Sequence, residues 1–167
     1  MLTRFRRWLL LVTAVAVVAA CVPPQPDYGY HGGNPPHVNP NPHIHSMYEW
    51  AYVLVRLHYL DPVTGLAVIW AESHGVDNAR NLVRNPGSVA DGSWDRGGWQ
   101  LNSVWHARAS DACADEMLCA SAYARGISAN GSDYRLWTTF VHGSHKVWMN
   151  VAAKAVWDAT VDFQRTG

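Results

Sequence analysis

The stretch Asp61 to Gly75, with the sequence DPVTGLAVIWAESHG, decides the fold of this chain. Asp61 is typical of a helix N-cap, Pro62 of the first helical position, and Gly75 of the residue that stops a helix. From Val63 to Ala71 the predicted helix is apolar on every side, which favours a helix running through a core. The rest of the chain is therefore expected to be organised around this helix.

Glu72 is the anomalous residue of the predicted helix. A glutamate is rarely buried without a partner, and this one lies near the negative, C-terminal end of the helix dipole. Burial and the dipole both disfavour the anion and raise the pKa of the carboxyl, so Glu72 is a candidate proton donor. The alternative is a helix that ends at the surface, with Glu72 in solvent.

Composition indicates one domain and argues against a nucleic-acid partner. The 167 residues are 49% apolar, which is enough for one sizeable core. Arg4, Arg6 and Arg7 lie in a segment that we expect to be removed, which leaves ten basic and thirteen acidic residues. A basic nucleic-acid-binding face is therefore not expected. The nine tryptophans suit stacking on a ligand, although core packing explains most tryptophans.

The N-terminus is typical of an export signal followed by a lipidation site. Residues 1–20 carry arginines and then an apolar run that is short for a membrane span. The run ends in VAAC at residues 18–21, like a bacterial lipobox, so we predict lipidation of Cys21. Two acyl chains would anchor the exported protein at the outer face of the plasma membrane, or in the periplasm or outer membrane of a Gram-negative cell. An ordinary signal peptide or an uncleaved anchor is the alternative.

Residues 21–45 are predicted to form a tether, and residues 46–167 the folded domain. The tether is dominated by proline, glycine, asparagine and histidine and has almost no apolar periodicity. Its four histidines are irregularly spaced, which argues against a metal site. They are His31, His37, His43 and His45.

The folded domain is predicted to be mainly helical. Ser46 and Glu49 form a capping-box pattern that opens a first helix, and this helix leads directly into the helix of Glu72. Ser144 is predicted to cap a final helix. No long strand pattern occurs, and the architecture allows at most a small hairpin before Asp95.

The region around Asp95 has loop character. Residues 76–94 are rich in asparagine, glycine and aspartate, which is typical of a loop or small hairpin. Gly97 and Gly98 then allow backbone geometry or close approach that other residues would block.

Cys113 and Cys119 are the cysteines that remain after Cys21, and an exported protein can keep a disulfide. Within one helix the two would lie roughly 9 Å apart along the axis and face different sides. Cys113 must therefore precede the helix that contains Cys119. Asp115 and Glu116 are predicted to lie in the first turn of that helix.

Two motifs, WAESHG at residues 70–75 and SWDRGGWQLNSVWH at residues 93–106, together resemble the lysozyme-like superfamily. This superfamily includes animal-type lysozymes, lytic transglycosylases and the resuscitation-promoting factors of actinobacteria. The resemblance covers roughly residues 48–142. It implies an α+β lysozyme-like fold, in which a helical domain carries a small hairpin or loop region beside the active-site cleft.

The resemblance also implies roles for individual residues. Glu72, followed by Ser73, corresponds to the catalytic acid, and Asp95 to the second carboxylate of animal-type lysozymes. A Gln-x-Asn segment after the glycines would line the cleft. The residues predicted to contact substrate are Ser73, Trp99, Gln100, Asn102 and Trp137, with Trp105 as a further candidate ring. Core packing is the alternative for each tryptophan, and satisfaction of backbone groups for the two amides.

The implied activity is cleavage of β-1,4 bonds between amino sugars of peptidoglycan by a monomer that needs no metal or other cofactor. Glu72 and Asp95 are farther apart in sequence than in animal-type lysozymes, so a lytic transglycosylase that uses Glu72 alone stays open. A non-catalytic wall-binding lipoprotein of the same fold is a further alternative. A zinc hydrolase is disfavoured because His142 and His145 are not accompanied by an HExxH motif.

Overall fold

The computed structural model describes residues 43–166. The predicted signal peptide, the lipidation site at Cys21 and most of the predicted tether, with His31 and His37, lie outside these residues. Within the described part, no helix has the length and apolar character needed to cross a membrane.

Residues 43–166 fold into helices and one small sheet. The helices are α1 (Met47–Arg56), α2 (Pro62–Ser73), α3 (Asp111–Ala114), α4 (Met117–Ile127), α5 (Thr138–Val141), a 3-10 helix (Ser144–Trp148) and α6 (Met149–Thr166). The strands are β1 (Arg80–Leu82), β2 (Trp94–Arg96) and β3 (Leu101–Asn102), and they form an antiparallel sheet in the order β1-β2-β3. This arrangement confirms the predicted α+β class.

Helix α2 runs through the core, as its all-round apolar sequence predicts. The Asp61 side chain accepts a hydrogen bond from the Thr64 amide and Pro62 opens the helix, so the predicted N-terminus is confirmed. The middle of the helix, Leu66 to Ile69, is fully buried. The predicted stop is one residue late, because the C-cap is His74, in the left-handed region at φ 54°, and not Gly75.

Helices α1 and α6 both pack against α2. The capping box of α1 is confirmed, with the Ser46 amide donating to Glu49 and the Glu49 amide donating back to Ser46. Helix α6 contacts α1 and α2 through alanines that are almost fully buried. The prediction that Ser144 caps the final helix is wrong: Gly143 precedes a 3-10 turn that begins at Ser144, and α6 starts only at Met149.

The sheet is larger than the predicted hairpin and includes Asp95. Asp95 lies in the middle of β2, opposite Asn81 of β1 and Asn102 of β3. A strand pattern is hard to recognise in segments of two or three residues, because alternation needs at least four positions to become visible.

The disulfide between Cys113 and Cys119 is present, and the two Cα atoms are 5.1 Å apart. As predicted, Cys113 precedes the helix of Cys119, since it lies in the separate short helix α3. The predicted first turn of the second helix is wrong in detail: Asp115 ends α3 as its C-cap, and Glu116 is the N-cap of α4.

The last three residues of the segment interpreted as a tether contact the domain. Ile44 forms an antiparallel bridge with Val76, and one ring nitrogen of His43 and one of His45 each lie 2.9 Å from an Asp77 carboxylate oxygen. The folded part of the described chain therefore begins by His43 and not at residue 46.

Candidate active site

Glu72 projects from the last turn of α2 and is half-buried. The Thr139 hydroxyl, on α5, donates a hydrogen bond of 2.6 Å to Glu72 Oε1. Burial raises the pKa of Glu72, the hydrogen bond from Thr139 opposes this, and the negative charge of Asp95 raises the pKa further. The alternative of a fully solvated Glu72 is therefore wrong, and burial is the main cause of the raised pKa.

Asp95 faces the same site from the sheet. Its charge acts on Glu72, and Asn102 Nδ2 donates a hydrogen bond of 2.8 Å to Asp95 Oδ1. Asp95 and Asn102 are direct cross-strand partners, so their side chains lie on the same face of the sheet. The site thus brings one helix carboxyl and one strand carboxyl together.

Asn102 is fully committed to protein partners. Its amide nitrogen donates to Asp95 and to Ser93 Oγ, and its carbonyl oxygen accepts from the backbone amides of Val104 and Trp105 at 3.0 and 3.2 Å. Four hydrogen bonds of this kind leave little capacity for a sugar. Asn102 therefore orients Asp95 and closes the turn after β3, which favours the alternative in which this amide satisfies groups of the protein.

A family model described as a lysozyme-like domain matches residues 59–139. Residues 59–139 form a lysozyme-like domain. The matched range includes Glu72, Asp95 and Thr139. This match confirms the predicted lysozyme-like superfamily and supports a family of glycosidases or transglycosylases that act on peptidoglycan. No curated protein and no solved structure matches the chain.

Two tryptophans predicted to bind substrate belong to the core of the lysozyme-like domain. Trp99 is fully buried between Tyr59 and Tyr134, with parallel rings, and its indole nitrogen donates to Ser121. Trp137 is 5% exposed, and its indole nitrogen donates to the Trp99 carbonyl. Both indoles are therefore packed in the core, which is the alternative to sugar stacking.

Ser73 and Gln100 both make hydrogen bonds to the protein backbone. Ser73 is buried, donates to the Ile69 carbonyl and accepts from the Gly75 amide, so it closes the end of α2. Gln100 is half-buried and donates its side-chain amide to the Gly97 carbonyl at 2.7 Å. That bond fixes the turn between β2 and β3.

The exposed tryptophans near Asp95 are Trp94 and Trp105. Trp94 precedes Asp95 in β2 and is 45% exposed, and Trp105 is 62% exposed. The Trp105 amide is bonded to the same Asn102 side chain that holds Asp95. Trp105, a candidate from its sequence for stacking on a sugar, is therefore connected to Asp95 through one side chain.

Sequence reasoning missed Thr139, the hydrogen-bond partner of Glu72. It lies 67 positions later in the chain, in a short aromatic segment with no recognised catalytic pattern. A single threonine gives no signal of this kind before the fold is known.

The described residues contain no group of three or more histidine, cysteine, aspartate or glutamate side chains placed to hold a metal ion. His145 is buried and stacks on Phe140, with its Nδ1 3.3 Å from the Thr139 carbonyl. His145 therefore packs against the segment that carries Thr139.

We expect Thr139→Val to raise the pKa of Glu72, because it removes a hydrogen bond that lowers this pKa while leaving the carboxyl buried. Titration of the Glu72 side-chain carboxyl by carbon NMR measures the change directly. Thr138→Val is the matched control, since Thr138 is an exposed neighbour on the same helix. An unchanged Glu72 titration in folded Thr139→Val would show that this contact does not tune the carboxyl.

Proposed function

We propose that this lysozyme-like domain cleaves β-1,4 bonds between amino sugars of peptidoglycan, with Glu72 as general acid and Asp95 as second carboxylate. The observation that carries the proposal is the pairing of a buried carboxyl with a raised pKa and a second carboxylate held by an amide. Two carboxyl groups in unequal environments can take the two roles that glycoside cleavage needs.

Glu72 supplies the proton to the leaving glycosidic oxygen. The Thr139 hydroxyl donates a hydrogen bond to Oε1 of this carboxyl. Because burial disfavours the anion, this proton is retained to a higher pH than in an ordinary glutamate.

Asp95 acts on the sugar ring, where positive charge develops as the bond breaks. Asn102 holds Oδ1, and Oδ2 has no hydrogen-bond partner among the described residues. The fixed carboxylate can stabilise the ring cation or add to it covalently. Both proposed catalytic carboxyl groups are thus held by a hydrogen bond from a neighbouring side chain.

Trp105 is the candidate for direct sugar contact. An exposed indole offers an apolar face to a pyranose ring, and its backbone is tied to Asp95 through Asn102. Gln100 is the second candidate, because its side chain is only half-buried. The other residues predicted to contact substrate are buried: Ser73, Trp99, Asn102 and Trp137.

Mass spectrometry of peptidoglycan digested by the purified domain tests the proposal. We expect new reducing ends formed by addition of water. Products that end in an anhydro ring would replace the hydrolase with a lytic transglycosylase, in which the substrate's own hydroxyl closes the product. An undigested wall that retains bound protein would replace it with a binding lipoprotein.

We also propose that the domain works outside the cytoplasm on a lipid anchor at Cys21, supported by the VAAC sequence after an apolar run. Cys21→Ala should move the protein from the membrane fraction to the soluble exported fraction, because the acyl chains that hold it are lost. Immunoblotting of the separated fractions measures this. A Cys21→Ala protein that still sediments with membranes would contradict the anchor.

A further inference from the structure

Strands β1 and β2 place two arginines directly opposite each other. In the antiparallel register Arg80 pairs with Arg96, while Asp95 pairs with Asn81. Because side chains alternate along a strand, Arg80 and Arg96 share the face of the sheet opposite to that of Asp95. Like charges in direct cross-strand pairs are destabilising, so this rear face requires anions.

The anions come from one short segment behind the sheet. Asp115 accepts two hydrogen bonds from Arg80, at 2.5 and 2.6 Å, and Asp111 accepts one from Arg96 at 2.6 Å. The contact with Arg96 lowers the pKa of Asp111. The two aspartates stand at opposite ends of α3, so one element neutralises both strands.

Arg96 joins this segment to the rest of the site. Its side chain is buried, and besides Asp111 it donates to the Leu101 carbonyl in β3 and to the His106 carbonyl, both at 3.2 Å. It directly follows Asp95 in β2. One guanidinium therefore links the strand of Asp95 with β3, with the turn beyond it and with α3.

The same segment is fixed by a covalent bond and by close packing. Cys113 lies between the two aspartates and is bonded to Cys119 in the first turn of α4. The backbone of Gly97, two residues after Asp95, passes so close that an added Cβ would lie 1.8 Å from the Ala114 carbonyl oxygen. The end of β2 thus rests directly on α3.

We propose that residues 111–119, here called the brace, position Asp95 opposite Glu72 from behind the sheet, with Arg80 and Arg96 as the positioning residues. The inference rests on the proposed function, because it assigns the brace to the site of Glu72 and Asp95. Two ion pairs on either side of a disulfide fix both β2 and its neighbour β1. Precise placement matters, since a shift of about 1 Å in a reacting group can cost ~100-fold in rate.

The test uses Arg80→Gln and the double variant Cys113→Ser/Cys119→Ser, each with and without Asp95→Asn. The charge of Asp95 contributes to the raised pKa of Glu72, so a displaced Asp95 should lower that pKa. We expect carbon NMR to give a lower Glu72 titration midpoint in Arg80→Gln and in the double cysteine variant, in the same direction as in Asp95→Asn. Combining either variant with Asp95→Asn should give no further decrease, because the same charge has already been removed.

The cleavage rate provides the second readout. We expect kcat to fall about tenfold in Arg80→Gln and in the double cysteine variant, because the positioning of Asp95 is lost. KM should change little, since the sugar-binding surface is not altered. The Arg80 to Asp115 pair is partly exposed and contributes little to stability, so Arg80→Gln should remain folded even if the double cysteine variant does not. The charge swap Arg80→Asp/Asp115→Arg should restore most of the rate.

Arg165→Gln is the matched control, because it removes an arginine from an exposed Arg–Asp pair on α6 and does not touch the sheet. The brace inference is overturned if folded Arg80→Gln keeps the wild-type Glu72 titration and rate while Asp95→Asn changes both. That result would leave the proposed function intact. Full activity of Glu72→Gln would instead overturn the proposed function.

Discussion

Glu72→Gln is expected to lower peptidoglycan cleavage by at least ~100-fold, the usual cost of losing a general acid. Glutamine keeps the shape of the side chain and can still accept the hydrogen bond from Thr139, but it has no proton to transfer. Release of soluble glycan fragments from purified walls measures the loss. Retained activity in this variant would rule out both the hydrolase and the transglycosylase.

The same substitution should not destabilise the protein at neutral pH. The folded-state pKa of Glu72 is raised, so the stability linked to its protonated form is present below the unfolded-state pKa and is lost as the pH rises through the folded-state pKa. A neutral glutamine does not suffer this loss. Thermal unfolding at pH 7 should therefore give a Tm for Glu72→Gln at or above that of the wild type, which separates a catalytic defect from a folding defect.

Asp95→Asn is expected to produce a comparable ~100-fold loss, because the amide cannot stabilise the positive sugar ring or add to it. It should also lower the pKa of Glu72 by removing a nearby negative charge. Since Glu72 works in its protonated form, the decline of activity at high pH should begin at a lower pH than in the wild type. A pH–rate profile measures both effects.

The control for Asp95→Asn is Asp91→Asn, which removes an exposed carboxylate from the loop before β2. It should retain the wild-type profile. A loss of only a few-fold in Asp95→Asn, together with anhydro products, would contradict the two-carboxylate hydrolase and leave a transglycosylase that depends on Glu72.

Short-range signals account for what the sequence predicts well. The start of α2 follows from Asp61 and Pro62, whose effects act within one helical turn, and the capping box of α1 follows from Ser46 and Glu49 in the same way. The Cys113–Cys119 pair follows from their being the cysteines left after Cys21, and helix geometry over six residues places Cys113 before the helix of Cys119. Boundaries near Gly75 and Glu116 were less accurate, because backbone conformations at helix ends depend on the packing around them.

The sequence by itself determined the apolar helix that carries Glu72 and the family, and it singled out Glu72 and Asp95 as candidate carboxylates, because these depend on residue types at short spacing. The tertiary structure decided which polar groups meet. It buried Trp99 and Trp137, committed Asn102 to Asp95, and brought Thr139 to Glu72 across 67 positions of chain. It also placed Arg80 and Arg96 against the brace. Such contacts are set by the packing of whole helices and strands, and no local pattern encodes that packing.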